Sequence, residues 1–141
     1  MRRLALVFAL VALGLAACGS SNHKQRLAQD KIKTAYETFF SAKTSVPDRI
    51  AVLQDGPRFK ALVTSFANNP LAKNVGVTVG TVTLQGADKA KVTYTVKLGG
   101  TKLPQQTGTA VRQNGIWKVG YQPLCKLVAL SGTTPAVCKK P

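Results

Sequence analysis

The stretch KAKVTYTVKL, residues 89 to 98, alternates along its whole length, with Ala90, Val92, Tyr94, Val96 and Leu98 on one side and Lys91, Thr93, Thr95 and Lys97 on the other. A period of two puts successive side chains on opposite faces of a pleated strand, so the stretch predicts a strand with one face buried and one in water, as in an antiparallel sheet. Its neighbours fit the same sheet. Upstream, Val75, Val77 and Val79 alternate, and Val82 and Leu84 continue on the opposite parity, which predicts a strand re-aimed by a bulge near Gly80. The turn Gly86-Ala87-Asp88 joins the two strands. Downstream, Gly99-Gly100 ends the strand, a more polar third strand runs from about Leu103 to Gln113, and Asn114-Gly115 is a strong hairpin signal. A fourth strand follows with Trp117, Val119 and Tyr121 on one face, and Pro123 opens a last short helix through Leu127 and Leu130.

The first half of the chain has the other period. Ile32, Ala35, Tyr36, Phe39 and Phe40 recur at the spacing of one helix face, predicting an amphipathic helix over roughly 24 to 43. Ser45 followed by Asp48 resembles a capping box, Pro47 suits a first turn, and Gly56-Pro57 stops a short second helix. Phe59, Leu62, Val63 and Phe66 repeat the helical spacing until Pro70 biases its predecessor out of the α region. Helices first and strands afterwards predict an α+β fold, with N-terminal helices packed on one face of a curved four-stranded antiparallel sheet.

Residues 15 to 18, Leu-Ala-Ala-Cys, follow an apolar run from Leu4 to Leu15 and a basic start at Arg2 and Arg3. Such a run is too short for the about 20 residues of a membrane span and suits an export signal. The small residues before a cysteine read as a lipobox, so residues 1–17 are expected to be a lipoprotein leader and Cys18 the lipidation site. An ordinary signal cut after Gly19 is the alternative. Residues 18–24 then read as a lipidated tether, and residues 25–141 as one domain. The expected location is outside the cytoplasm, on the cell membrane as a lipoprotein or in part secreted. Two cysteines remain, Cys125 and Cys138. An even pair in an oxidising compartment is expected to bond, closing a loop worth about 3 kcal/mol in the chain-entropy model. A metal site would want histidine nearby, and the single histidine, His23, lies in the tether.

Charge and chemistry narrow the function. Without Arg2 and Arg3, 18 basic side chains stand against 5 acidic ones, a net charge of +13. Outside the membrane the polyanions within reach are anionic lipids and cell-wall polymers, and nucleic acid is not the expected partner. A basic surface that only keeps the domain soluble is the plainer reading of the same charge. The acids are Asp30 and Glu37 with Lys33 between them, Asp48 and Asp55 at helix ends, and Asp88 in a turn, so the expected strands carry no carboxylate. With no histidine beyond the tether, no nucleophile motif, no P-loop and no metal-ligand spacing, the sequence argues against an enzyme, and no cofactor is expected. Two binding roles remain. One is contact between the basic face and a polyanion or partner protein; the other is an apolar or lipid-like ligand in a pocket lined from Tyr36, Phe39, Phe40, Phe59, Phe66, Tyr94, Trp117 or Tyr121. Aromatics at these spacings fill a core more often than they line a pocket.

The segments DRIAVLQDG (48–56), NPLAK (69–73), AKVTYTVKLGG (90–100), QTGTAV (106–111), GIWKVG (115–120) and LCKLVAL with the late Cys138 occur in this order. In that order the chain resembles the low-molecular-weight secreted antigen family of mycobacteria and related actinobacteria. The resemblance implies a small exported or lipid-anchored protein with a cone shape similar to nuclear-transport-factor-two relatives, and it brings no catalytic residues.

Overall fold

Strand β2 (Lys89–Leu98) is the central strand of the sheet. The computed structural model describes residues 18–139, so the expected leader, residues 1–17, lies outside the described residues. Antiparallel to β2 run β1 (Gly76–Leu84) on one side and, on the other, the short β3 (Thr101–Lys102) followed by β4 (Gln106–Gln113). β5 (Ile116–Val119) closes the order β1-β2-β4-β5 through the Asn114-Gly115 turn, where both residues have positive φ. Ala90, Val92, Tyr94 and Val96 are buried while Lys89, Lys91 and Lys97 are exposed, as the alternation requires. In β1 the register jumps between Val79, opposite Tyr94, and Val82, opposite Val92. This is the expected bulge. Gly80 permits it, because a Cβ there would come within 2.7 Å of the Thr93 hydroxyl that accepts the Thr81 N–H.

Two strand expectations need correction. The third strand starts at Thr101 and is broken between Lys102 and Gln106, because Pro104 brings no N–H to the ladder. The fourth strand ends at Val119, and Tyr121 begins helix α4 (Tyr121–Ala129) instead of continuing the strand face. Gly120 makes the last ladder bond, to the Thr109 carbonyl, and Tyr121 stacks on Phe59 with centroids 5.3 Å apart. The outer edge of β5 is covered: Val52 and Gln54 exchange backbone bonds of 2.8 Å with Val119.

Helix α1 (Cys18–Phe40) begins well before the expected residue 24 and ends before 43. GSSNHK is therefore helical and not an irregular tether. A residue added to a helix that packing has already nucleated gains its hydrogen bond without repeating the nucleation cost. Residues 19–27 are all exposed. Helix α2 (Val46–Ala51) is capped as its sequence suggests, with the Ser45 hydroxyl accepting from the Asp48 N–H at 3.3 Å and donating to the Asp48 carboxylate at 2.6 Å. Helix α3 (Lys60–Asn68) follows a 3-10 turn at Gly56–Phe59 and stops before Pro70.

The buried face of α1 is the expected one, Ile32, Ala35, Tyr36, Phe39 and Phe40. It lies on the inner face of the sheet. The Tyr36 and Tyr94 rings meet at 5.3 Å, Phe40 stacks on Tyr94 at 5.9 Å, and Phe39 meets Phe40 edge-on at 5.0 Å. Such pairs add about 0.5–1.5 kcal/mol each beyond area burial. The Tyr36 hydroxyl donates to the Thr109 carbonyl at 2.8 Å, an approach that needs Gly108, where a Cβ would come within 3.0 Å of Tyr36, Pro123 and Tyr94 atoms.

Arg49 is 2% exposed, the one buried charged residue among the described residues. Its guanidinium donates to the Ser41 carbonyl at 2.6 Å and the Thr44 carbonyl at 3.2 Å and lies over the Phe66 ring at 5.3 Å. Its charge thus sits against carbonyls just past the end of α1, the end that favours positive charge. One guanidinium nitrogen has no partner, and burial pulls its pKa below the ordinary value. Arg49→Met keeps the apolar stem but removes both guanidinium donors, leaving the Ser41 carbonyl only the Thr44 N–H at 3.2 Å, and a urea titration is expected to show a loss of about 1–3 kcal/mol. No loss would mean that relief from burying the charge cancels the two bonds.

Burial also pushes the Tyr36 phenol far above its usual pKa, with Tyr94 beside it adding to the shift, and pushes Tyr94 up to about 12. Both shifts favour the neutral form in the folded state. Their contribution is complete below the unfolded phenol pKa of about 10 and is lost as pH rises from there through the folded values. Stability is therefore expected to fall from pH about 10 upward, and Tyr36→Phe is expected to flatten that fall. An unchanged alkaline slope in the variant counts against Tyr36 as its source.

Candidate functional site

The aromatics expected to line one pocket do not converge on one. Tyr36, Phe39, Phe40 and Phe59 are at most 1% exposed and lie inside the closed core, and Tyr121 is half-buried against Phe59. The cause is α1, whose aromatic face fills the concavity of the sheet. The other three reach different depressions. Trp117 borders a surface groove of about 440 Å³ between α1 and the β4–β5 hairpin, with exposed Leu27 and Ile116 on its rim. Phe66 borders a cleft of about 230 Å³ with Leu71, Leu98 and Leu130. Tyr94 borders a cleft of about 330 Å³ under α4.

That last cleft is built by three elements. β2 supplies Tyr94 and Val96 from its inner face, the irregular segment after β3 supplies Leu103 and Pro104, and α4 with its C-cap supplies Leu127 and Leu130. Lys126 is the charged residue on its rim, and its ammonium donates to the Thr107 carbonyl at 3.1 Å. The same lysine also borders a shallow polar basin with Lys91, Thr107, Thr109 and Gln122, where the Thr109 hydroxyl lies 2.9 Å from the Gln122 amide oxygen. Sequence reasoning missed this arrangement because it assigned the pocket to aromatics. The available signal was the run Lys126-Leu127 with Leu130, which puts a charge and two leucines on neighbouring positions of one helix.

The outer face of the sheet is basic throughout. Lys89, Lys91 and Lys97 project from β2; Lys89 pairs with Val111, which pairs with Lys118, and Lys97 stands opposite Lys102 on β3. Directly paired residues share a face, so five lysines lie on one side of the sheet among threonines, and none of the five strands holds an acid. A like-charge pair directly opposite, as Lys97 and Lys102 are, is destabilising when nothing neutralises it.

The acids are placed elsewhere. The Asp48 carboxylate in the first turn of α2 accepts from the Ser45 hydroxyl, the Asp55 carboxylate accepts from Gln113 at 2.9 Å, and Asp30, Glu37 and Asp88 are exposed. Among the described residues no group of histidine, cysteine and carboxylate side chains could hold a metal ion, and no helix is long and apolar enough to cross a membrane. Cys125 and Cys138 are joined by a disulfide, which fastens α4 to the final turn of the described chain. Of Cys18 the structure gives only its place as the first residue of α1.

No curated protein matches the chain in sequence. Among solved structures, the chain is similar to one described as an NTF2-like transpeptidase from Campylobacter jejuni, at 12% identity and a TM-score of 0.40, covering 69% of this chain and 96% of that one. At that distance the transpeptidase activity of its description says nothing of this chain. A family model for the low molecular weight antigen MTB12, C-terminal domain, matches residues 25–135, and with most of its length covered the chain belongs to that family.

Proposed function

We propose that this protein is an exported, lipid-anchored component of the cell envelope that acts by binding and not by catalysis, its lysine-bearing sheet face meeting an anionic lipid surface or cell-wall polyanion. The observation that carries the reading is the sheet face itself, on which Lys89, Lys91, Lys97, Lys102 and Lys118 stand together without a carboxylate. An anion set between Lys97 and Lys102 would remove their mutual repulsion, so binding and fold stability are linked at that pair. The leader pattern before Cys18 supports the anchor, since a diacylglycerol supplies the two chains that stable attachment takes.

Cys18→Ser is expected to move the protein from the membrane fraction to the medium with its fold intact, as read by fractionation and circular dichroism. Retention on membranes after a high-salt wash would overturn the anchor. For the chain starting at Gly19, sedimentation with anionic vesicles is expected to weaken steeply above physiological salt, where the Debye length is about 8 Å, and neutral vesicles are expected to leave it in solution. Reversing Lys89, Lys97 and Lys102 to glutamate is expected to weaken that binding at least about a hundredfold, taking about 1 kcal/mol for each lysine lost before any repulsion from the new carboxylates. The same reversal at Lys24, Lys33 and Lys60 on the helices is expected to do less. Equal losses from both sets would show that net charge acts without a binding face.

A further inference from the structure

The apolar cleft under α4 and the polar basin beside it share Lys126, and that juxtaposition has a direction: leucines and a proline on one side of the ammonium, lysine and threonine on the other. We propose that this is a binding site for a single-chain amphiphile with an anionic head, its tail in the cleft and its phosphate or carboxylate between Lys126 and Lys91. The cleft, at about 330 Å³, is at the small end of known ligand pockets, which fits one medium-length chain and excludes a diacyl lipid.

Charge complementarity decides the head group. Lys126 and Lys91 are the charged residues bordering the two depressions, and no carboxylate borders either one. The Lys126 ammonium is held toward the boundary by the Thr107 carbonyl, a neutral acceptor that leaves its charge unpaired. The Thr109 and Gln122 side chains add hydrogen-bonding capacity on the basin side. Tyr94, only 2% exposed, lines the cleft from β2. The tail side is open enough to enter, because Leu130 is 65% exposed and Leu103 is only half-buried. The cleft of about 230 Å³ on the other side of α4 also borders Leu127 and Leu130, so a shift of these two side chains lengthens the path for a longer tail. This site shares Lys91 with the proposed sheet-face contact but takes its cleft and Lys126 from elsewhere, so variants of Leu103, Lys126 or Leu130 test it apart from Lys89, Lys97 and Lys102.

The test uses dodecyl phosphate below its micelle concentration, with dodecanol and dodecyltrimethylammonium as probes of the same tail, read by calorimetry and native mass spectrometry on the chain starting at Gly19. The expected result is one dodecyl phosphate per chain, bound at least about tenfold more tightly than either other probe, the difference of one charge-assisted hydrogen bond. Leu103→Trp is expected to abolish binding of all three by filling the cleft. Lys126→Ala is expected to weaken the phosphate toward the affinity of the alcohol, with Lys91 still in place, while leaving the alcohol unchanged. Should Leu103→Trp lower the melting temperature, Leu130→Glu serves in its place, since its exposure tolerates the change and its charge repels the anion. The proposal is overturned if dodecyl phosphate does not bind, if the cationic probe binds as well as the anionic one, or if Lys126→Ala weakens phosphate and alcohol equally. It also fails if the cleft variants bind like the parent while the Lys89, Lys97 and Lys102 reversals do not.

Discussion

The Tyr36 hydroxyl on the Thr109 carbonyl is the contact on which the architecture depends, because it holds α1 across the inner face of the sheet at a distance only Gly108 allows. Once the tyrosine is seated there, Tyr94, Phe39 and Phe40 fall into mutual contact around it, and the concave side of the sheet is filled. A related fold with a shorter side chain at position 36 would leave a hollow. In this protein the hollow is displaced outward, to the margin where β3 gives way to Pro104 and α4 crosses the end of β4.

The elements with unbroken periodicity were legible from the sequence. β2, the bulge in β1, the buried stripe of α1 and the cap of α2 depend on neighbours within a few residues, and the local pattern contains them. What escaped depends on distant partners. Arg49 looks like any surface arginine of a short helix until the carbonyls of Ser41 and Thr44 are brought to it. Tyr121 continues the parity of β5 in sequence, yet the backbone turns at Gly120 to meet Thr109, a residue on another strand. The candidate site was half legible. The lysine face follows from the alternation of β2, whereas the cleft under α4 needs the packing of a helix and a strand break that no local pattern encodes.

The distribution of acids leaves the outer sheet face free of negative charge. Here Asp48 and Asp55 are hydrogen-bonded at chain turns, and the three others face solvent. The shifted ionisable groups in the interior are two phenols and a guanidinium, all with structural partners or packing to account for them.

The exposed first turns of α1 have a mechanical consequence. Residues 19–27 form a projecting rod of about 14 Å at 1.5 Å per residue, continuous with the part of the helix clamped in the core. A flexible segment of that length would pass on position alone and let the domain tumble. A helix also passes on torsion, so a support that grips its first turn rigidly fixes the azimuth of the whole sheet about the helix axis, and with it the direction in which the lysines look.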